Sequence, residues 1–276
     1  MGKITVSCLL MVAAALLAQD TIKKPEIQNA VLPPVKIFKI VIDPGHGGRD
    51  GGAVGSQGTK EKDAVLEVAN LLAKSLADET EERFKVILTR AEDRFIPLED
   101  RISFANQAGG DVFISIHANS SESKKDYGFE IYYNSLATDD SSFGVVKREN
   151  AGFKEKKEAQ NVDSMFVLWD LAQNEFQKES MDLADKVQAA VEEAVKKPRA
   201  NGKMFYMRNR GVKQAAFAVL RGVRMPAVLI ETSYLSNEED ENNLKKLEFK
   251  ERLVEGILTA IKSYTKKNSN LQEVSK

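Results

Sequence analysis

The sequence predicts an α/β fold, a single domain in which a central, twisted, largely parallel sheet is flanked by helices on both faces. Three observations predict it. Short apolar runs such as KIVID (39–43), FKVILT (84–89) and DVFISI (111–116) have the β-branched, nearly continuous character of strands covered on both faces. Segments with apolar residues at helical spacing alternate with those runs. No internal repeat or second zone of composition divides the 276 residues.

In chain order, MGKITVSCLLMVAAALLAQD carries Lys3, an apolar stretch from Ile4 to Ala18 and small residues at its end. That is the pattern of a signal peptide over residues 1–19 and predicts export to the periplasm or the extracellular space. The stretch is shorter than the roughly 20 residues a membrane-spanning helix needs, so no membrane span is expected after signal removal. Residues 20–35 contain Pro25, Pro33 and Pro34 with no sustained period and read as a linker. The folded domain follows over 36–266.

Its first strand covers Lys39–Asp43, and a helix over Asp63–Leu76 places Val65, Ala69, Leu72 and Leu76 on one stripe. Strands follow at Phe84–Thr89, Asp111–Ile116 and Gly128–Tyr133. Residues 141–180 are charged and lack strand signals, which predicts a helical excursion from the sheet. Met181–Val195 is a helix through Leu183, Val187, Val191 and Val195. Short strands are expected at Phe217–Leu220 and Ala227–Ile230, then a closing helix over Phe249–Tyr264. The polar residues 267–276 read as a flexible tail.

Composition removes several chemistries. The formal net charge is −1, so no global field favours nucleic acid, despite the basic, aromatic stretch from Lys196 to Lys213. The single cysteine, Cys8, lies in the signal segment, which leaves a processed chain without a thiol nucleophile, a disulfide or a thiolate ligand. No G-x-S-x-G pentapeptide marks a serine hydrolase. The glycine-rich IVIDPGHGGRDGGAVG (40–55) has Asp50 where a dinucleotide loop needs its third glycine, and it lacks the G-K-[ST] ending of a phosphate loop.

What remains is the placement of two histidines. His46 follows the first strand and His117 ends the third, and residues just beyond the carboxyl ends of parallel strands meet in one crevice. Two converging imidazoles suit a borderline cation, zinc above all. A third ligand would be a carboxylate. Glu61, at the start of the helix after the glycine loop, is the best candidate, although it could equally complement the helix dipole. Glu231, directly after AVLI, enters the same crevice and is a candidate for proton transfer, the alternative being a solvated loop residue. Asn119 could contact substrate or close a turn. Asp43 could orient His46 or cap the loop.

In this order the segments IDPGHGGRDGGAVG, EKDAVLEVANLLAKSL, LTRAEDRFIPLEDRISFANQ, DVFISIHANS, NRGVKQAAFAVLR and MPAVLIETSYLSNEED resemble the zinc-dependent N-acetylmuramoyl-L-alanine amidases of bacterial cell walls, amidase family 3, over residues 37 to 264. The resemblance implies Zn2+ held by His46, Glu61 and His117, with Glu231 as the catalytic glutamate. It implies cleavage of the amide between N-acetylmuramic acid and the L-alanine of the peptidoglycan stem peptide, in wall turnover or daughter-cell separation. Arg90, Asp93 and Arg101 match a family block and are read as structural ion pairs rather than substrate contacts. Some relatives carry a helix near 141–180 that covers the zinc until an activator displaces it, and here Glu175 could reach a metal. The expected partners are therefore peptidoglycan and an activator protein acting on 141–180, with no nucleic acid, and the chain is expected to be a monomer. The rival readings are a zinc peptidase or carboxypeptidase cutting another bond of the stem, and a non-catalytic wall-binding module.

Overall fold

The computed structural model describes residues 36–80, 83–135, 140–151, 153, 163–198 and 201–274; the segments read as signal peptide (1–19) and linker (20–35) lie outside them. Strands β1 (Ile37–Pro44), β2 (Arg83–Leu88), β3 (Val112–Asn119), β4 (Phe129–Asn134), β5 (Asn209–Ala215) and β6 (Ala227–Tyr234) form one sheet in the order β2-β1-β3-β6-β4-β5. β2, β1, β3 and β6 run parallel; β4 is antiparallel to β6 and parallel to β5. The sheet is therefore mixed but mostly parallel, as its buried, unalternating strands predict. Every residue of β3 and of β6 is buried.

The two faces are unequally covered. On one face, α1 (Glu61–Ala77), α4 (Asp163–Val195) and α7 (Leu247–Val274) press a large apolar layer onto the strands through Val65, Leu72, Val187, Val191, Leu253 and Ile257. On the other, α2 (Leu98–Ala108), α3 (Asp140–Glu149) and α5 (Ala218–Gly222) cover a smaller cluster that includes Val41, Phe113, Tyr132 and Phe217. α6 (Glu238–Leu244) follows β6, and the Asn237 side chain caps it by accepting from the Glu239 and Asp240 amides. Among the described residues, no helix is long and apolar enough to cross a membrane.

The structure differs from the sequence reading in three elements. The run at Phe217–Leu220 is not a strand. Ala218–Gly222 is helical, and the neighbouring strand is β5, whose residues are mostly half-buried because it lies at the sheet edge. An edge strand with little apolar alternation gives a weak signal, whereas the buried helix supplies the apolar run. The closing helix does not stop at Tyr264; α7 continues to Val274, into the residues read as a tail. Thr265 is buried there, its hydroxyl donating back to the Ile261 carbonyl one turn earlier, and Lys267 pairs with Asp182 of α4 at 3.0 Å, contacts that periodicity does not reveal. α2, absent from the sequence reading, follows Pro97 and ends on the left-handed Gly109.

Gly256 lets α7 approach the backbone of α4: a Cβ there would lie 2.5 Å from Val191 Cα. Helix propensity alone favours alanine by about 1 kcal/mol. Overpacking against backbone costs about 1–3 kcal/mol. The G256A variant is therefore expected to unfold at lower denaturant concentration than the wild type, and an unchanged or raised midpoint would show that the two helices part without cost.

Candidate metal centre

The site begins where β1 ends. Gly45 donates to the Ile116 carbonyl at 2.9 Å, stitching the glycine loop to β3. A Cβ at Gly45 would lie 2.3 Å from the His117 ring, and one at Gly52 would lie 2.6 Å from Glu61 Oε2 and 2.7 Å from His46 Cδ2. These two glycines keep space for imidazole and carboxylate, not for phosphate. His46 itself is left-handed, with φ of 57°, a conformation a non-glycine residue holds only when its surroundings fix it.

Those surroundings are two buried arginines. Arg90 donates to the carbonyls of Pro44, Gly45 and Lys62. Arg101 donates to the carbonyls of Pro44, His46 and Ile96, and pairs with Asp43 at 2.8 Å. Asp43 also accepts from Thr89 and Ser115. Asp43 therefore does not orient His46; its carboxylate is committed to Arg101 below the loop. Asp50 stands in that role, with Oδ2 3.0 Å from His46 Nδ1, which leaves Nε2 facing inward. Asp50's hydrogen bond to His46 holds its carboxyl below the usual range.

Glu61 opens α1, and its two oxygens accept from the amides of Ala53 (2.8 Å) and Ala118 (3.0 Å). His117 comes from the buried strand β3. His46, Glu61 and His117 are brought together, and Glu149 at the end of α3 joins them; one donor atom from each of the four lies within 4.8 Å of the others. Glu61 Oε1 is 3.1 Å from His46 Nε2 and 3.1 Å from His117 Nδ1, and Glu149 Oε2 is 3.3 and 3.0 Å from the same atoms. His46 Nε2 and Glu149 Oε2 are buried yet have no aligned hydrogen-bond partner among the described residues. His117 Nδ1 hydrogen-bonds Glu61 Oε1, yet all four donor atoms converge on one point, the arrangement of a ligand set rather than of separate ion pairs.

The electrostatics agree. Burial pushes both imidazoles down, but neighbouring carboxylates outweigh it. Glu61 above all holds His46 well above its usual range, and Glu149 then Glu61 bring His117 up to about 10. Burial pushes Glu61 up, but the two histidines hold it well below the carboxylate range. Two carboxylates thus draw protons onto the imidazoles, the place a divalent cation would take. The chemistry of the donor set, two imidazoles and two carboxylates, fits such a cation.

Glu231 lies in register with His117 on the neighbouring strand, so both side chains leave the sheet on the same face. It is 0% exposed, and neither carboxylate oxygen has a hydrogen bond among the described residues. Burial raises its pKa well above the usual value; His117 opposes that, while Glu149, Glu61 and Glu130 add to it. Asn119, at the end of β3, accepts through Oδ1 from Arg148 at 2.7 Å, and its amide nitrogen is buried without a partner among the described residues.

The sequence reading did not single out Asp50, Arg148, Glu149 or Glu130. Asp50 was legible as a carboxylate inside a ligand loop. Glu149 had no local signal, and the Glu175 side chain, proposed in its place, lies outside the described residues. Glu130 faces Glu231 across the antiparallel β4–β6 pair and accepts from Tyr132, Tyr234, Arg210 and Lys213. Burial would raise Glu130, but these donors, Tyr132 first, hold it below the usual range. A cavity of about 430 Å³ adjoins the centre on the α2 side, lined in part by His46, Arg49, Phe95, His117 and Glu149.

Residues 40–263 match the family model described as N-acetylmuramoyl-L-alanine amidase. The chain is 36% identical over 231 residues to the amidase AmiC of Escherichia coli O6:H1, covering 82% of this chain and 52% of that protein. It is 34% identical over 232 residues to AmiA of Escherichia coli K12, covering 82% and 75%. The chain thus spans about half the length of the first and three quarters of the second. Among solved structures, an N-acetylmuramoyl-L-alanine amidase of Clostridium difficile 630 superposes with a TM-score of 0.62 at 28% identity, over 83% of this chain and 97% of that one. AmiC2 of Nostoc punctiforme gives 0.59 at 28% identity, over 83% and 97%.

The Glu231 carboxyl yields a stability prediction free of any substrate. A carboxyl whose folded pKa is raised favours folding while protonated and loses that contribution as pH rises. With chelator present, E231Q should match the wild type in denaturant midpoint below the ordinary glutamate pKa of about 4.3. It should become the more stable protein as pH climbs above that value. Equal midpoints from pH 4 to 8 would place the carboxylate in a solvated setting.

Proposed function

This chain belongs to the N-acetylmuramoyl-L-alanine amidase family, and we propose that it hydrolyses the amide joining N-acetylmuramic acid to the L-alanine of the peptidoglycan stem peptide. The proposal rests on one observation above the others: a buried carboxyl with no hydrogen bond among the described residues, Glu231, stands in register with His117 beside a four-donor cluster that adjoins a cavity. Peptidoglycan as substrate places the protein outside the cytoplasmic membrane, in the periplasm or beyond, in keeping with the leader pattern of residues 1–19.

His46 Nε2, His117 Nδ1 and Glu61 Oε1 would hold a zinc ion, with Asp50 fixing the tautomer of His46. When bound, such an ion polarises the scissile carbonyl and makes hydroxide accessible near neutral pH. Glu231 takes the proton from the attacking water and returns it to the departing alanine nitrogen, a task suited to a carboxyl with a raised pKa. Asn119, whose amide nitrogen has no partner among the described residues, would donate to the substrate's amide carbonyl.

With a zinc ion held by His46, His117 and Glu61, Glu149 would fill the place that a hydrolytic site keeps for water and substrate. We propose that α3 holds the enzyme in a restrained state, with Arg148 on Asn119 and Glu149 at the cluster, and that an activator acting on 141–180 draws α3 away. The restraining carboxylate is then Glu149 rather than one further along the excursion.

The test is digestion of purified sacculi with products identified by mass. Intact stem peptides should be released, release should stop with chelator and return with zinc, and E231Q should bind metal but release none. Shortened peptides still attached to sugar would assign the cut to another bond, and chelator-insensitive release would overturn the metal assignment. For the restraint, E149A should raise kcat on sacculi about tenfold, equivalent to ~1.4 kcal/mol. A fall in rate with weaker zinc binding would instead make Glu149 a productive ligand.

A further inference from the structure

The cavity beside the metal cluster contains a cation that the proposed mechanism does not use. Arg49 lies in the glycine loop, and its guanidinium sits over the Phe95 ring at 4.2 Å. The other arginines lining the cavity are committed: Arg101 to Asp43 and three carbonyls, Arg148 to Asn119. Among the described residues, Arg49 has neither an ion pair nor a hydrogen-bond acceptor for its side chain. The acidic groups in the same wall are engaged: Asp43 with Arg101, Asp50 and Glu149 with the imidazoles, and Glu99 is not free.

Arg49 is also presented on a fixed support. The preceding amide, that of Gly48, donates to Asp93 at 2.7 Å, and the Gly48 carbonyl accepts from Lys62 at 2.9 Å. A Cβ at Gly48 would lie 2.6 Å from the Phe95 amide, so the loop and the Phe95 segment are in close contact. The ring limits where the guanidinium can swing while leaving its in-plane donors open, the geometry that takes a carboxylate in a fork.

Substrate chemistry decides which half of the molecule such a fork reads, a step that rests on the amidase reading. N-acetylated sugars are uncharged, and the lactyl carboxylate of the muramic residue is consumed in the scissile amide. Every remaining anion belongs to the stem peptide. We propose that Arg49, steadied by Phe95, is a specificity-determining residue that binds a stem-peptide carboxylate. The α2-side cavity is then the peptide subsite, and the glycan leaves the metal on the side away from α2.

Two soluble muramoyl peptides test this, one with free stem carboxylates and the other with those groups converted to carboxamides. Initial rates are measured with the zinc-loaded full chain, in wild-type and E149A backgrounds. The free acid should be preferred by about tenfold or more in kcat/KM, the range of one charge-assisted hydrogen bond. R49Q should bring that ratio near one, chiefly through a higher KM for the acid; R49K should retain part of it, and F95L should lower it. Equal use of both substrates by the parent proteins, or a ratio unchanged in R49Q, would overturn the assignment while leaving the amidase reading intact. Cleavage of neither substrate in either background would remove both.

Discussion

The buried arginine pair beneath the glycine loop is the interaction on which the rest of the site depends. Arg90 and Arg101 together satisfy carbonyl oxygens of Pro44, Gly45, His46, Lys62 and Ile96 in a place with little access to water. Left unpaired, each carbonyl would carry the cost of a buried acceptor. Asp43 supplies the countercharge that makes burial of Arg101 tolerable. A lysine could not fill either place, since a single ammonium lacks the planar spread of donors that spans several carbonyls. With the loop held, His46 can keep its left-handed backbone and Glu61 can reach across the sheet edge.

That reach matters because the ligands come from opposite sides of the sheet. His117 and Glu231 project from the face covered by α2, α3 and α5, while Glu61 belongs to α1 on the other face. The carboxylate arrives at the cluster only by turning over the carboxyl end of β1 and β3, through space kept by Gly45 and Gly52. The heavily packed face provides rigidity, and the more thinly covered face provides the cavity. Division of labour between the two faces is what lets a buried, highly charged cluster open to a large substrate.

Charge balance links the cluster to α3. Glu61 and Glu149 bring two negative charges to two imidazoles, and the imidazoles answer by retaining protons. Drawing α3 away removes one of those charges together with the Arg148 contact to Asn119. The proposed movement would therefore change both the electrostatics of the centre and the availability of Asn119, and Glu231 beside them would lose one of the charges that raise its pKa. Glu130, held by two tyrosines, an arginine and a lysine, keeps its own negative charge next to Glu231 whatever α3 does.

Much of this was legible in the residues themselves. Apolar strands without alternation specify a mostly parallel, doubly covered sheet, and strand-end placement brings His46, His117 and Glu231 to one edge, because parallel strands share a carboxyl end. The glycine-rich stretch around His46 already failed the patterns of a dinucleotide or phosphate loop. What the tertiary structure alone decided were the contacts between segments distant in sequence. Asp43 pairs with Arg101 rather than His46 because the loop's carbonyls draw the arginine beneath it. Glu149 reaches the cluster because α3 folds over the thin face. β5 lies at the sheet edge and the turn of α7 past Tyr264 meets α4 through Lys267 and Asp182, placements that no periodicity marks. Local pattern records which face a residue must bury; it carries no record of which distant partner will meet it there, and charge pairing is settled by that meeting.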